Sequence, residues 1–378
     1  SMAAGLRNHT QASIYQDYGK IGSRTFILTA EKDGIHAENA DDEEKGYIYI
    51  ADGDFTITSD GDGMDASNNV QIEDGTLDIT AGGGAANSLK THESDMPGGP
   101  GGGMPQNGEK LDGESMPQMG EKPDGENMPQ DTTTDESGTS TKGIKAGGGM
   151  YLNGGTYQID SADDSIHSNA NITIADGTYT LATGDDGVHA DDALIVNGGT
   201  ITVTESYEGL EGLAVTINDG TIDITASDDG INTAGEKMEL NGGYIHILAG
   251  GDGVDSNGDL TINGGEIYID GPSDNGNSAI DYGDRSSAYV NGGMLVAIGS
   301  SGMAEGMSDS SKQEVLMVKL GEQMEAGDVE LTDNEGNVIV SYTALKSYDC
   351  VIISTAEVES GATYTLTTSG TTTEVTAE

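Results

Sequence analysis

Between Gly184 and Val203 the chain reads GDDGVHADDALIVNGGTITV, and its middle, DDGVHADD, places four aspartates in eight residues around His189. Carboxylates packed that closely repel one another unless something positive sits among them. The chemistry on offer is therefore cation binding.

The motif recurs. Aligned on the apolar residue of Asp-Gly-apolar-polar, the chain gives Ile35, Met64, Ile144, Ile166, Val188, Leu210, Ile231, Val254 and Ile280, at spacings of 29, 80, 22, 22, 22, 21, 23 and 26. Two positions before it stand Asp33, Asp62, Lys142, Asp164, Asp186, Glu208, Asp229, Asp252 and Ser278. Just after it stand His36, Asp65, Lys145, His167, His189, Glu211, Asn232, Asp255 and Asp281. If each repeat is one coil of a stacked fold, both positions become columns, and the reading here is that both point outward.

Two carboxylates about 4.8 Å apart repel by roughly 3 to 4 kcal/mol at an effective dielectric near 20, a serious cost when summed along a column. Calcium binds oxygen at about 2.3 to 2.6 Å and so fits between acids of neighbouring coils. Oxygen donors without cysteine favour it over zinc, while the histidines admit some transition-metal binding. The expected ligands are Asp62, Asp65, Asp164, Asp186, Glu208, Glu211, Asp229, Asp252 and Asp255. The plainer alternative is that the acids only solubilise the fold and cap strand ends, with the histidines as neutral hydrogen-bonding members.

The elements that position these columns follow from the period. A second landmark, NGG or DG, ends at Gly53, Gly75, Gly155, Gly177, Gly199, Gly220, Gly243, Gly265 and Gly293, again near 22 residues apart. Within a unit the apolar residues alternate, as in Val215, Ile217, Ile222, Ile224 and Ile231, which is the period of strands and not of amphipathic helices. Short strands separated by Gly, Asn and Asp turns describe a single-stranded, right-handed parallel β-helix of about nine coils, roughly 40 Å long. A calcium-binding nonapeptide roll would repeat every nine residues, and a leucine-rich repeat would show its leucine and asparagine spacing; neither pattern is present. Tyr157 and Tyr179 fall on inward positions.

The expected organisation is a cap segment over 1–30, the solenoid over 31–299, and a small antiparallel module over 300–378 that covers the open end. The 80-residue spacing is one coil interrupted by residues 85–142, where MPQNGEKLDGES, MPQMGEKPDGEN and MPQD repeat every 12 residues from Met104. So few aliphatic residues predict a disordered insert, or alternatively a short recognition tail for a partner.

Composition bounds the partners. With 15 Lys+Arg against 66 Asp+Glu the formal charge is −51, which disfavours nucleic acid and anionic lipid as direct ligands. No apolar run is long enough to span a membrane. The single cysteine, Cys350, excludes an intramolecular disulfide and reads as a buried strand thiol. The opening SMAAGLRNHT has no charged and apolar leader pattern, and is expected to follow a removed targeting segment.

The stretch from Asp185 to Asn232, above all SYEGLEG (Ser206 to Gly212), resembles the clostridial cellulose- and pectin-binding β-helix family of carbohydrate-binding domain proteins. The resemblance covers roughly Asp33 to Gly299 and extends to the tail from GSSGMAEGMSDSS. It implies a right-handed β-helix with bound calcium, akin to calcium-dependent pectate lyases. It also implies secretion to the bacterial cell surface and binding of polygalacturonate and cellulose. Sugar contact is then expected at His189, Tyr207, Asp281 and Tyr282 on the acid face. Two other readings stay open. Calcium-assisted β-elimination would need a base, for which Lys145 and Arg285 are the candidates. A calcium-stiffened structural rod would need neither base nor sugar. A monomer is expected in each case.

Overall fold

The computed structural model describes residues 6–8, 12–14, 24–39, 45–90, 140–235, 237–283 and 285–377. Every coil contributes strands to three parallel ladders, and the apolar residue of the repeat runs along the first of them. Ile35 pairs with Met64, Met64 with Ile144, Ile144 with Ile166, and the register continues through Val188, Leu210, Ile231, Val254 and Ile280. Because Met64 lies directly against Ile144, the long insert leaves and re-enters the solenoid without costing it a coil. Residues 91–139, which hold the 12-residue repeat, lie outside the described residues. The insert's two ends do not: Ala85–Asn87 forms a turn of 3-10 helix, and Lys142 is buried in the next coil.

The second ladder is carried by strands such as Val70–Ile72, Met150–Leu152 and Met238–Leu240, and the third by longer strands such as Thr156–Ser161 and Thr221–Ala226. Their inward residues fill one continuous core of mainly Ile, Leu and Val. Tyr157 and Tyr179 belong to it: their rings stack at 4.4 Å, and their hydroxyls donate to the carbonyls of Gly154 and Asp176. Buried hydroxyls with such partners cost the core little.

The glycines of the repeat have two separate causes. A Cβ on Gly230, the glycine before the inward Ile231, would lie 2.2 Å from Cγ2 of Ile247 and 2.5 Å from the carbonyl of Gly253. The first ladder therefore packs too tightly there for any side chain. Gly243, the last glycine of an NGG turn, has φ +85°, where an L side chain is strained. The asparagines of these turns form an exposed column in which each amide donates to the one before: Asn218 to Asn197, Asn241 to Asn218, Asn263 to Asn241 and Asn291 to Asn263. NGG marked the turns in the sequence, but the column of amides was not foreseen.

Within 1–30, the segment expected as a cap, the described strands pair in parallel with the first coil. Leu6–Asn8 pairs parallel with Ile35–Ala37, Ala12–Ile14 with Ile48–Ile50, and Thr25–Ala30 with Asp54–Ser59. At the other end the expected antiparallel module contains Gly327–Thr332, Val338–Ala344, Tyr348–Ser354 and Thr363–Thr368, flanked by Leu316–Met324 and Thr371–Thr376. Tyr348–Ser354 lies antiparallel on Met294–Gly299, the last solenoid strand of the third ladder. The edge of the second ladder is met by backbone N–H groups of Ser308, Lys312 and Gln313 at the carbonyls of Ala288 and Val290. Cys350 is buried in Tyr348–Ser354, where burial pushes its thiol up to about 11.

Candidate functional site

The two acid columns flank the first ladder and differ in burial. Asp65, Glu211, Asp255 and Asp281 are half-buried at the surface, but Asp62, Asp164, Asp186 and Asp252 are buried. The expectation that both columns point outward is corrected for these four buried acids, while Asp33, Glu208 and Asp229 of the same column are half-buried. The position two before the inward residue lies at a corner of the coil, where its carboxylate turns along the rod axis and accepts a backbone N–H from the next coil. Oδ1 of Asp33 takes the N–H of Asp62, and Asp62 takes that of Lys142. Asp164 takes that of Asp186, and Asp186 that of Glu208. Asp229 takes that of Asp252, and Asp252 that of Ser278. One oxygen of each acid thus satisfies a backbone donor that a strand partner would otherwise satisfy.

The other oxygen separates the column into two halves. Through the first half it meets a side-chain cation or a histidine. Oδ2 of Asp33 is 3.2 Å from Nδ1 of His36, and Oδ2 of Asp62 is 3.7 Å from Nζ of Lys145. Oδ2 of Asp164 is 2.6 Å from Nζ of Lys142 and 2.8 Å from Nδ1 of His167. Oδ2 of Asp186 is 3.0 Å from Nδ1 of His189, which lies equally close to Oε2 of Glu211. Burial works against ionisation of Asp164, yet Lys142, His167 and Lys90 together hold its carboxyl well below the usual range. Burial also opposes charge on His189, but its bonds to Asp186 and Glu211 keep the imidazolium favoured.

Lys90 was not foreseen. It comes from the leading end of the insert, and its buried ammonium reaches Asp163 at 2.8 Å and also pairs with Asp185. Nothing in the sequence marks it, because the contact spans 95 residues and the local composition is that of a linker. The aspartates of the opening stretch are thus neutralised largely from within, by Lys90 and His189.

From Glu208 onward the partners change, while burial acts in both halves: it also pushes Asp62 up to about 6, Asp185 to about 9 and Asp186 to about 7. Asp229, Asp252 and Asp255 bring one carboxylate oxygen each within 4.8 Å of one another. Among the described residues no Lys, Arg or His forms an ion pair with any of the three. Burial and neighbouring acids push Asp229 up to about 8, Asp252 to about 7 and Asp255 to about 6. Burial likewise raises Glu208 well above the carboxylate range, followed by repulsion from Asp186, Glu211 and Asp229. The Nδ2 of Asn232 donates to Glu208, while its buried Oδ1 has no donor. Oxygens within 4.8 Å of one another are close enough for a single divalent ion, which binds oxygen at about 2.3 to 2.6 Å, to touch all three. The other all-carboxylate grouping with oxygens this close, Asp163, Asp164 and Asp185, already contains the ammoniums of Lys90 and Lys142.

The remaining expected residues are placed as follows. Tyr207 and Tyr282 are half-buried, and the Tyr282 hydroxyl donates to the carbonyl of Gly306 at 2.7 Å. Asp281 accepts the N–H of Tyr282. Asp65 lies 3.0 Å from His36. Lys145 faces Asp62, and Arg285 is exposed, so neither is brought to the Asp229, Asp252 and Asp255 group.

A family model described as carbohydrate-binding domain-containing protein matches residues 8–187 and again 185–376. No curated protein and no solved structure gives a significant match.

Proposed function

Since the chain belongs to the family of carbohydrate-binding domain-containing proteins, we propose that it holds an acidic polysaccharide of the polygalacturonate type, without cleaving it, through divalent cations on its acid face. The observation that carries this reading is the split column. Where the protein supplies Lys90, Lys142, Lys145, His36, His167 and His189, its acids have a basic side chain beside them. Where it supplies none, at Asp229, Asp252 and Asp255, three carboxylates bring an oxygen each within 4.8 Å of one another. These residues, with Glu208 and Glu211 beside them, would hold calcium, and the ion's contribution is to offer coordination positions to sugar carboxylates. A polyanion approaches a chain of formal charge −51 only if cations bridge the two. The setting is a secreted or surface-attached bacterial protein, where pectin and calcium are both present.

Affinity electrophoresis through polygalacturonate tests this, with calcium or with chelator, while unsaturated product is followed by its absorbance. Calcium-dependent retardation without product is expected. Retardation indifferent to chelator, or none at all, overturns the bridging role of the metal. Appearance of product would instead establish the lyase reading.

A further inference from the structure

Two successive coils place the same pair of residues at the same corner. Asp164 and His167 stand in one, Asp186 and His189 in the next, each pair three residues apart around the inward Ile166 or Val188. Register sets His167 directly against His189, and their ring centroids lie 4.9 Å apart. The third histidine of the column, His36, is followed in register by Asp65. Asp164, His167 and His189 each bring one ligand atom within 4.8 Å of the others.

His167 shows what these atoms are turned toward. It is 5% exposed, and its Nε2 lies 3.0 Å from Oδ1 of Asn169. An amide oxygen only accepts, so Nε2 carries the proton and Nδ1 of the neutral ring is left with a lone pair. That buried Nδ1 makes no hydrogen bond, because Oδ2 of Asp164 lies 2.8 Å away but out of line. A lone pair and a carboxylate oxygen at that distance repel unless a cation touches both. Zinc-class ions bind nitrogen at about 2.0–2.1 Å and carboxylate oxygen at about 2.0–2.2 Å, which sets neighbouring ligands roughly 3 Å apart. Oδ2 of Asp186 keeps the same separation, 3.0 Å, from Nδ1 of His189.

The surroundings fit the same role. A metal-bound imidazole donates its other N–H to an outer partner, and a ligating carboxylate is itself hydrogen-bonded. Asn169 serves His167 in this way, and Asp191, 3.5 Å from Nε2, serves His189. Asp164 is held by the N–H of Asp186 at Oδ1 and by the ammonium of Lys142 at Oδ2.

We infer that Asp164, His167 and His189, with Asp186 beside them, form a site for a first-row transition dication of the zinc class. Two imidazole nitrogens favour such a metal over calcium, which takes oxygen. The ion takes the place of the proton that His189 holds between Asp186 and Glu211, and it joins two coils where the column's side-chain cations end. The inference does not rest on the carbohydrate reading, and the Asp229, Asp252 and Asp255 group contains no histidine.

Cobalt(II) is the probe, titrated into the full chain in excess calcium and followed by its visible d–d absorption. Wild type should saturate with a single cobalt, zinc should abolish the bands, and further calcium should leave them. His167→Gln and His189→Gln should each weaken cobalt by more than the ten- to hundredfold typical of a lost outer partner. Asn169→Ala, a change at an exposed position, should weaken it about tenfold, and His36→Gln should bind as wild type. Far-UV circular dichroism in chelator checks that the buried His167 variant folds, and His189→Gln with Asn169→Ala decides the matter if it does not. Absence of cobalt bands, bands that calcium removes, or His189→Gln binding as wild type overturns the inference. Loss of the bands in His36→Gln with retention in His189→Gln overturns it too.

Discussion

The Nζ of Lys142 lies 2.6 Å from Oδ2 of Asp164, and the two side chains are only 8% and 0% exposed. The same ammonium reaches Oδ1 of Asp163 at 2.9 Å, so one buried lysine holds two acids of adjacent sequence. Removing one partner of such a group leaves the other as an unmatched charge. Lys142→Met is expected to cost about 3–5 kcal/mol in urea unfolding. Adding Asp164→Asn should recover most of that loss, and a double variant no more stable than the single would show that packing, not charge, was lost.

The pH dependence has a definite sign. Asp229, Asp252 and Asp255 titrate near 8, 7 and 6 in the folded chain, against an ordinary value of 3.8. The folded state therefore holds more protons than the unfolded one between about pH 4 and 8, so stability is full below that window and declines as pH rises through it. In chelator the melting temperature should fall from pH 5 to pH 8. Calcium should flatten that fall, because the metal takes the place of the protons. A melting temperature that rises with pH in chelator would contradict the placement of these acids.

Asparagine can keep the backbone bonds of the same acids while removing their charge. Oδ1 of Asp229 takes the N–H of Asp252, and Oδ1 of Asp252 takes that of Ser278. The double variant Asp229→Asn, Asp252→Asn should therefore melt higher than wild type in chelator at pH 8. It should also lose the calcium response, which in wild type amounts to about 2.7 kcal/mol at a calcium concentration one hundredfold above Kd. Scanning calorimetry with and without calcium reads both effects.

The close approach at Gly230 makes a third kind of test. Gly230→Ala drives a methyl into Ile247 and the Gly253 carbonyl and should cost about 1–3 kcal/mol. Coupling it with Ile247→Ala, which removes the opposing Cγ2 methyl, should give a smaller loss than the two changes summed. Strict additivity in denaturant unfolding would place the strain elsewhere.

Much of this architecture is legible in the sequence because a strand period has few readings. The residue of each Asp-Gly-apolar unit fixes the register, and Met64 against Ile144 follows from counting alone. Alternation likewise sends Tyr157 and Tyr179 inward. Alternation stops deciding at corners, which is why Asp62, Asp164, Asp186 and Asp252 were assigned to the wrong side: their direction depends on a backbone donor one coil away. Lys90 was illegible for a different reason, since its pairing with Asp185 depends on the path of the insert's leading end. A tyrosine corner joins Tyr244, Tyr268 and Tyr342 from solenoid and module, a meeting that no period predicts.

The antiparallel strand laid across Met294–Gly299 also sets the molecule's size. In a rod of repeating coils nothing internal says where to stop, and each added coil offers the next one the same template. Tyr348–Ser354 answers that template with the opposite polarity, as a terminator ends a growing polymer. Coils can thus be gained or lost between the ends while the stop signal stays the same. A chain cut before Leu316 would leave the edge of Met294–Gly299 without its antiparallel partner and open to pairing with another strand.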